Sequence, residues 1–248
     1  MPEGAPELTV SELFVSVQGE GPSTGEPAAF VRLGHCNLSC SFCDTPYTWD
    51  FTRFDEHEEL RRVSVSAVAD FLIERCPGRV VITGGEPLIQ QKVLPRLLEE
   101  VDARAAALEP PLWQQHGGRL VVEVETNGTI RPTVELAQRV DQWNVSPKLS
   151  QSGEPAARRL RKAALAWFAA EPRAFFKFVV QSAADAAEAA ALAARLGVPN
   201  GRVLLMPQAK DRQELEAREP ATIEWARQHD FRTTSRLHLK LWDGVRGH

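Results

Sequence analysis

Residues 34–49 read Gly-His-Cys-Asn-Leu-Ser-Cys-Ser-Phe-Cys-Asp-Thr-Pro-Tyr-Thr-Trp and hold three of the four cysteines of this 248-residue chain. Cys36, Cys40 and Cys43 follow the spacing Cys-x3-Cys-x2-Cys. Thiolates are the usual ligands of iron–sulfur clusters, and a cube of four irons normally takes four of them. Three thiolates leave one iron open to nitrogen and oxygen atoms of another molecule. The stretch therefore predicts a cluster with one open corner.

Two other uses of these cysteines compete with a cluster. A structural zinc site usually takes four ligands in two close pairs, and Cys76, the fourth cysteine, lies far along the chain in an apolar helical run. His35 is a further candidate ligand, but its place beside Cys36 makes a shared tetrahedral geometry awkward. A disulfide leaves one of the three thiols unpaired, and no secretory signal indicates an oxidising compartment. Zinc stays the main alternative, and Cys76 is predicted to be a small core residue.

The composition narrows the class of protein. A net charge of −4 and 43% hydrophobic residues suit one domain with a full core, and we expect it to span residues 1–248. The slight acidity provides no general field for nucleic acid or for an anionic membrane surface. No apolar run approaches the ~20 residues that span a bilayer. Because residues 1–7 lack a basic region followed by an apolar one, we expect no signal peptide and a reducing, cytoplasmic location.

Apolar strands alternate with helical patterns along most of the chain. Strands are predicted near residues 8–17, 27–33, 79–83, 119–125, 142–145, 174–180 and 202–207, and helices near 64–75, 88–101, 132–140, 154–170, 183–196 and 214–229. The tail, residues 231–242, is expected to end in a strand. Right-handed crossovers curl such a series into a partial barrel or an open parallel sheet. The predicted fold class is α/β, an incomplete TIM-like barrel of about six parallel strands.

Polar segments follow three of these strands at their carboxyl ends, where α/β folds place ligands. They are Gly84-Gly85-Glu86-Pro87, Glu125-Thr126-Asn127-Gly128 and Ser146-Pro147-Lys148. The two glycines are expected to let the backbone approach a ligand, and the carboxylate of Glu86 can receive an ammonium group. Each segment alone resembles a solvated turn, but several on one rim favour a site.

Ionic and amide side chains in apolar surroundings add further candidates. The loop Val17-Gln18-Gly19-Glu20-Gly21 is either a simple turn or a pair of polar groups that can read the edge of a planar heterocycle. Arg32, in an apolar strand, needs a partner, which is a substrate carboxylate or Glu20. Lys177 is likewise either paired or directed into the barrel interior.

Two surface features remain open. Asp44 and Thr45 are turn formers before a proline, but their oxygens also suit a hard cation such as Mg²⁺. A basic patch, Arg158, Arg159, Arg161 and Lys162, is interpreted as a solvated face, with docking of an electron-donor protein as the second possibility.

The order of the motifs resembles the 7-carboxy-7-deazaguanine synthases, small radical S-adenosylmethionine (SAM) enzymes of 7-deazapurine (queuosine precursor) biosynthesis. The resemblance covers almost the whole chain. It is carried by the loop 17–21, the three cysteines with Asp44-Thr45, the segments 83–87 and 146–148, and His238 with Trp242. The cysteine spacing is general to radical SAM enzymes, whereas Gln-Gly-Glu-Gly, Cys-Asp-Thr and Ser-Pro-Lys are narrower.

The resemblance implies a trimmed barrel of six strands, usually a homodimer. It implies conversion of 6-carboxy-5,6,7,8-tetrahydropterin to 7-carboxy-7-deazaguanine with loss of ammonia. The implied cofactors are a [4Fe–4S] cluster, SAM and Mg²⁺, and the implied electron donor is a protein such as flavodoxin or ferredoxin. No side chain is implied as a catalytic acid or base, because the radical is borne by the cofactor.

Site residues are carried over by the same resemblance. Cys36, Cys40 and Cys43 are implied to hold the cluster, and Thr45 to hold Mg²⁺. Contacts to SAM are implied for Phe42, Cys43, Asp44, Gly85, Glu86, Glu125, Ser146, Pro147 and Lys148. Contacts to the pterin are implied for Val17, Gln18, Gly19, Glu20, Arg32, Thr83 and His238. Lys177 is a further candidate for the SAM site.

Two alternatives to this function are kept. A glycyl-radical activase shares the cysteine spacing and a small barrel, but its substrate is a protein backbone, so it has no need of a loop that reads a pterin. A zinc-stabilised binding module without catalysis represents a different class, and its metal content distinguishes it from both.

Overall fold

The structure is a computed structural model that describes residues 5–110 and 112–248. Its strands are β1 (Glu7–Val17), β2 (Pro27–Leu33), β3 (Arg61–Ser64), β4 (Arg79–Gly84), β5 (Val121–Thr126), β6 (Gln142–Val145), β7 (Ala174–Val180), β8 (Val203–Pro207) and β9 (Arg232–Thr233). Its α-helices are α1 (Glu56–Glu59), α2 (Val65–Arg75), α3 (Leu94–Ala106), α4 (Val134–Arg139), α5 (Ala156–Arg159), α6 (Lys162–Ala170), α7 (Ala183–Leu196), α8 (Arg212–Gln228) and α9 (Leu237–Trp242). None of the described helices has the length and apolar character needed to cross a membrane.

The strands form one sheet in the order β3-β1-β2-β4-β5-β6-β7-β8-β9. Strands β2 and β4 to β8 run parallel to one another, and the two-residue strand β9 continues this direction beside β8. β1 is antiparallel to both β2 and β3. The prediction of an α/β fold with about six parallel strands is therefore confirmed.

The parallel strands present two different faces. Apolar side chains on one face join those of the helices in a single core, in which Trp143 of β6 packs edge-on against Phe168 of α6 with ring centroids 5.4 Å apart. Polar side chains on the other face lie inside the curl of the sheet: Arg32, Thr83, Glu123, Glu125, Asn144 and Lys177. Because strand residues alternate between faces, Arg32, Glu123, Asn144 and Lys177 each lie between two core residues in sequence, and Thr83 and Glu125 each follow one. The interior of the curl is thus polar.

Several helix boundaries follow from capping. The Ser64 side chain accepts a hydrogen bond from the Ala67 amide at the start of α2, as predicted. Ser182 and Asp185 form a reciprocal capping box at the start of α7. Gly197, in the left-handed region with φ of 70°, ends that helix, which confirms its predicted role.

The structure differs from the predicted elements in four places. The expected helix 88–101 is replaced by a 3₁₀ turn (Pro87–Gln90) followed by α3, and the expected helix 154–170 divides into α5 and α6. The charged segment before Ser64 contains β3, which exists because it pairs with β1. The tail forms α9 instead of a strand, since burying Leu239 against Ala209 and Leu215 outweighs its alternating pattern.

Gly84 and Gly85 bring the end of β4 against the chain that leaves β2. The Gly85 amide donates to the Leu33 carbonyl at 3.1 Å, and the Glu86 amide donates to the His35 carbonyl at 2.8 Å. A Cβ on Gly84 would lie 2.1 Å from the Leu33 oxygen, and one on Gly85 would lie 2.0 Å from the His35 oxygen. The close approach that the structure shows for these glycines is to neighbouring backbone. Both glycines also line the cavity described below, so their predicted approach to a ligand stays a prediction.

Replacing Gly85 with alanine is expected to lower the free energy of unfolding by about 3 kcal/mol, because the backbone it would strike cannot move aside as a side chain can. Urea unfolding measures the change. Gly201 is the matched control, since a Cβ there meets nothing within 4 Å. Gly201→Ala should change the stability by less than about 1 kcal/mol, and equal unfolding midpoints for the two variants would contradict the argument.

Candidate active site

A cavity of about 280 Å³ opens at the carboxyl ends of the parallel strands. Of the residues singled out from the sequence as ligands, it is lined by Val17, Gln18, Gly19, Glu20, Arg32, Cys36, Cys40, Phe42, Cys43, Asp44, Thr45, Thr83, Gly85, Glu125, Ser146, Lys148, Lys177 and His238. Glu86 and Pro147 are buried and do not line it. Residues from both ends of the chain thus converge on one space.

The three predicted cluster ligands lie together along this cavity and form no disulfide. The indole Nε1 of Trp49 donates to Cys43 Sγ at 3.3 Å, and Asn127 Nδ2 lies 4.0 Å from Cys36 Sγ. Burial raises the pKa of Cys36 to about 12, so a bound cation is needed to favour its thiolate at neutral pH. Three thiols with N–H donors beside two of them fit an iron–sulfur cluster.

Three hydrogen bonds hold the cluster loop (residues 36–43) from outside. The Ser39 amide donates to Glu154, and the Ser41 amide donates to the Ser152 carbonyl at 3.0 Å. Arg158 Nη2 donates to the Asn37 carbonyl at 2.8 Å. The segment after β6 therefore supports the loop. Among the described residues, no group of three His, Cys, Asp or Glu side chains could hold a single metal ion.

Four ionic groups, of which Lys177 and Arg236 are buried and Glu20 and Glu125 are partly buried, join the opposite walls of the cavity. Lys177 contacts Glu20, and its Nζ lies 3.8 Å from Glu125. Arg236 Nε donates to the other oxygen of Glu20 at 2.9 Å. Burial alone raises the pKa of Glu20, but Lys177 and Arg236 outweigh burial and hold that pKa far below its ordinary value. Both possibilities left open for Lys177 are realised, since it is paired and also lines the cavity.

The Gln18 amide is bound to the protein and is only 2% exposed. Its Nε2 donates to Glu123 at 2.6 Å and to Glu125 at 3.3 Å, and its Oε1 accepts from the Glu20 amide at 3.2 Å. Asn144 and Ser23 donate to the same Glu123 carboxylate. The side chain therefore fixes the loop, and Val17, Gln18 and Gly19 line the cavity.

Arg32 does not pair with Glu20, the partner within the chain that the sequence suggested. Its Nε donates to Glu12 at 2.7 Å, and the Tyr47 hydroxyl donates to the same carboxylate at 3.0 Å. Arg246 from the tail lies 3.6 Å above the Tyr47 ring and 3.3 Å from Glu12. The expected pairing of Arg32 with Glu20 is wrong, because Glu12 faces it directly across β1 and β2.

The predicted contact of Glu86 with an amino group is not supported by its position. The side chain is completely buried, and its two oxygens accept hydrogen bonds from the Leu88 amide, the Asn127 amide and the Thr126 hydroxyl at 2.7–3.0 Å. Burial raises the pKa of this carboxyl above its ordinary value. Glu86 thus ties the loop after β4 to the loop after β5, and the cavity is reached by Gly85 instead.

The remaining predicted residues occupy the rim. Thr45 Oγ1 lies 3.8 Å from Cys43 Sγ, and Lys148 Nζ lies 3.2 Å from Ser146 Oγ. His238 packs so closely on Gly19 that a Cβ there would lie 2.2 Å from its Nδ1. Burial lowers the pKa of His238, which favours the neutral imidazole. These placements bring a hydroxyl, an ammonium group and an imidazole to one opening.

Two interpretations outside the cavity have definite outcomes. Arg159 is buried, donates to the Lys148 carbonyl at 2.8 Å and pairs with Glu188 at 3.0 Å, so it does not belong to the solvated basic face. Arg158, Arg161 and Lys162 are exposed as predicted. Cys76 is a buried core residue, which confirms its predicted role.

Sequence reasoning missed several residues that line the cavity. They are Glu12, Tyr47, Trp49, Asn144, Gln208, Lys210, Arg236, Arg246 and His248. Arg236 is the most connected of them, and the only hint of it is its place two residues before His238. Lys210 follows β8, so the rule that ligands gather at strand carboxyl ends could have identified it.

Comparison with known proteins gives a match to a superfamily and, more specifically, to individual relatives. Residues 31–218 match the model of the radical SAM superfamily. The 7-carboxy-7-deazaguanine synthase of Pyrobaculum aerophilum is 40% identical over 244 residues, which cover 98% of both chains. The synthase of Halobacterium salinarum is 34% identical and covers 96% of this chain and 91% of its own.

A solved structure agrees with these relatives. The crystal structure of QueE from Escherichia coli superposes with a TM-score of 0.64 at 25% identity, covering 94% of this chain and 95% of that one. The cysteine-lined cavity, the superfamily match and relatives that span the full length all point to one family. This chain belongs to the radical SAM superfamily and, within it, to the 7-carboxy-7-deazaguanine synthases.

Proposed function

We propose that this enzyme converts 6-carboxy-5,6,7,8-tetrahydropterin to 7-carboxy-7-deazaguanine with loss of ammonia. The observation that carries the proposal is that residues of the motifs behind the family resemblance line the same cavity as the three cysteines: Val17, Gln18, Gly19, Thr83, Ser146, Lys148 and His238. Relatives named 7-carboxy-7-deazaguanine synthase match nearly the whole chain.

The charges of the cavity suit carboxylate ligands. Its lining holds six cations, Arg32, Lys148, Lys177, Lys210, Arg236 and Arg246, against four acids, Glu12, Glu20, Asp44 and Glu125. Both the substrate and the amino-acid part of SAM carry a carboxylate. Among the described residues, Lys148 and Lys210 have no carboxylate partner. We propose Lys148 as the cation that faces SAM, as its motif implies.

Members of the radical SAM superfamily hold a [4Fe–4S] cluster and SAM, and together these supply one-electron chemistry that removes a hydrogen atom from the substrate. The residues of the chain would position the cluster, SAM and the substrate. Cys36, Cys40 and Cys43 would bind the cluster, and Gly85 and Ser146 would border SAM. The backbone of residues 17–19 and the Thr83 hydroxyl would orient the pterin. Thr45 is the residue we propose for Mg²⁺, which orients a substrate carboxylate.

An anaerobic assay tests this function. Reconstituted enzyme, the tetrahydropterin, SAM, Mg²⁺ and dithionite should yield ammonia, 5′-deoxyadenosine and a product with the mass of 7-carboxy-7-deazaguanine. Release of 5′-deoxyadenosine without this product would favour an activase. Stoichiometric zinc without iron or sulfide in anaerobically purified protein would favour the non-catalytic binding module.

Three expectations stay predictions: a homodimer, which the resemblance implies, one domain over residues 1–248, which the composition suggests, and a cytoplasmic location, which the pattern of residues 1–7 suggests. Sedimentation of the loaded enzyme tests the first, limited proteolysis the second and fractionation of cells the third. The single sheet that joins strands from both ends of the chain supports one domain.

We also propose that an acidic electron carrier such as a flavodoxin or ferredoxin docks on the exposed cations beside the cluster loop. Arg158 reaches this loop directly, and Arg161 and Lys162, which follow it three and four residues later in the chain, are exposed. The double change Arg161→Glu and Lys162→Glu is expected to slow reduction of the cluster by an acidic flavodoxin about tenfold at low salt, because charge attraction sets the encounter rate.

Stopped-flow absorbance measures this reduction. Glutamate is favourable at the start of α6, so the fold should be unaffected. Arg227→Glu, on the exposed face of α8, is the control and should leave the rate unchanged. Equal rates in the double variant and the control, or an equal loss with dithionite as reductant, would rule out this docking surface.

A further inference from the structure

Arg236 connects three separate segments at the cavity wall. Its side chain is only 7% exposed. Its Nε donates to Glu20 at 2.9 Å, its Nη2 donates to Asp44, and its Nη1 donates to the Ala209 carbonyl. All the nitrogens of its guanidinium are therefore used, each by a different part of the chain.

The three segments have different tasks in the proposed function. Glu20 belongs to the loop that faces the pterin, Asp44 directly follows the cluster ligand Cys43, and Ala209 follows β8. Next to Arg236, the Leu237 amide donates to the Gly19 carbonyl at 2.9 Å. Among the described residues, Arg236 is the side chain that binds the Asp44 carboxylate.

We propose that Arg236 is a positioning residue. It sets the distance between the cluster loop, which Asp44 directly follows, and the pterin loop (residues 17–21). This inference rests on the proposed function and extends it to a residue outside the motifs that carry the family resemblance. Removing a hydrogen atom requires the reacting atoms to be nearly in contact, and a misplacement of about 1 Å can lower the rate 100-fold. A planar guanidinium can hold both loops at fixed angles, whereas the ammonium of lysine keeps the charge without the fork.

The test is Arg236→Lys, with Arg236→Gln as a second variant. In the anaerobic assay, 5′-deoxyadenosine release should persist while product formation falls about 100-fold in each variant, so that the ratio of 5′-deoxyadenosine to product rises at least about tenfold. Hydrogen exchange of the cluster-loaded protein, before SAM is added, should become faster in residues 18–25 and 41–49 and stay unchanged elsewhere. This second readout does not depend on turnover.

Arg202 provides a matched control. It also donates to backbone carbonyls, those of Glu171, Ala174 and Ala169, but it lies at the amino end of β8, away from the cavity. Arg202→Lys is expected to lower thermal stability without changing the ratio of the two products.

Two results would overturn the proposal. One is an unchanged ratio in both Arg236 variants with the cluster absorbance intact. The other is a parallel fall of both products with unchanged exchange in the two loops, which indicates a purely structural role. A wild-type enzyme that makes no deazaguanine would instead overturn the proposed function, so the two failures are distinguishable.

Discussion

Replacing Cys40 with alanine is expected to abolish the visible absorbance of the reconstituted cluster and the release of 5′-deoxyadenosine. Cys40 is 9% exposed, lies between Cys36 and Cys43 in sequence and lines the same cavity. Its loss leaves two thiolates for a cluster that uses three, and the neighbouring hydroxyl groups are poor ligands for iron in a cluster. Activity should fall below detection, whereas the fold should survive because the loop is held by Glu154 and Arg158.

Cys76→Ala is the control for this experiment. Cys76 is buried in the core, and its Sγ donates to the Arg79 carbonyl at 3.1 Å, outside the cavity. The variant should keep its cluster and its activity while losing on the order of 1 kcal/mol of stability. If Cys40→Ala retained a cluster and cleaved SAM, or if Cys76→Ala lost both, the assignment of ligands would be wrong.

Replacing Lys177 with methionine is expected to lower the free energy of unfolding at pH 7 by about 3–5 kcal/mol. Lys177 is 5% exposed and stands between Glu20 and Glu125. Methionine fills the space but removes the charge, so Glu125 loses its only nearby ammonium group in the described structure and Glu20 keeps only Arg236. Breaking a buried ion pair from one side leaves an uncompensated charge, which explains the size of the effect.

The loss should depend on pH. Lys177 and Arg236 hold the pKa of Glu20 below its ordinary value of 4.5, so the stability that Glu20 contributes is present above pH 4.5 and is lost as the pH falls. The variant lacks most of this contribution, and the gap between wild type and variant should narrow below pH 4.5. Urea unfolding at several pH values measures the gap.

Lys240 offers the matched control, because its side chain is 39% exposed and pairs with Glu219 at 2.7 Å. A pair of this kind contributes less than about 1 kcal/mol, so Lys240→Met should have little effect at any pH. A loss for Lys177→Met no greater than that for Lys240→Met would show that the buried ions do not depend on one another.

The parallel strands could be predicted because each is a short apolar run bounded by turn residues. The cysteines could be predicted because a chelating loop is local, so its spacing is visible in sequence. β3 could not be predicted, since most of its residues are polar or charged and form a strand only because they pair with β1. α9 could not be predicted for a similar reason. The burial of Leu239 in the tail depends on its contact with Ala209 and Leu215, which are distant in sequence.

The ligand-facing residues divide in the same way. Residues at strand ends were found by position, as Glu125 and Lys148 show. The ion-pair partners of these residues could not be found from the sequence. Arg236 and Glu20 are 216 residues apart, and Arg32 pairs with Glu12 because of the register between two strands. Glu86 was wrongly predicted to contact an amino group. From sequence alone, a carboxylate that faces a cavity cannot be distinguished from one that joins two loops, as Glu86 does.

The sheet has two free ends, β3 and β9, and among the described residues no strand pairing joins its first and last parts. The contacts between these parts include the Gly21 amide on Thr234, the Leu237 amide on Gly19, Arg236 on Glu20, and Arg246 on Glu12 and Glu59. In a closed barrel, widening the opening would break a continuous ladder of backbone hydrogen bonds. Here it would break separate hydrogen bonds and ion pairs, and the sheet itself would stay intact.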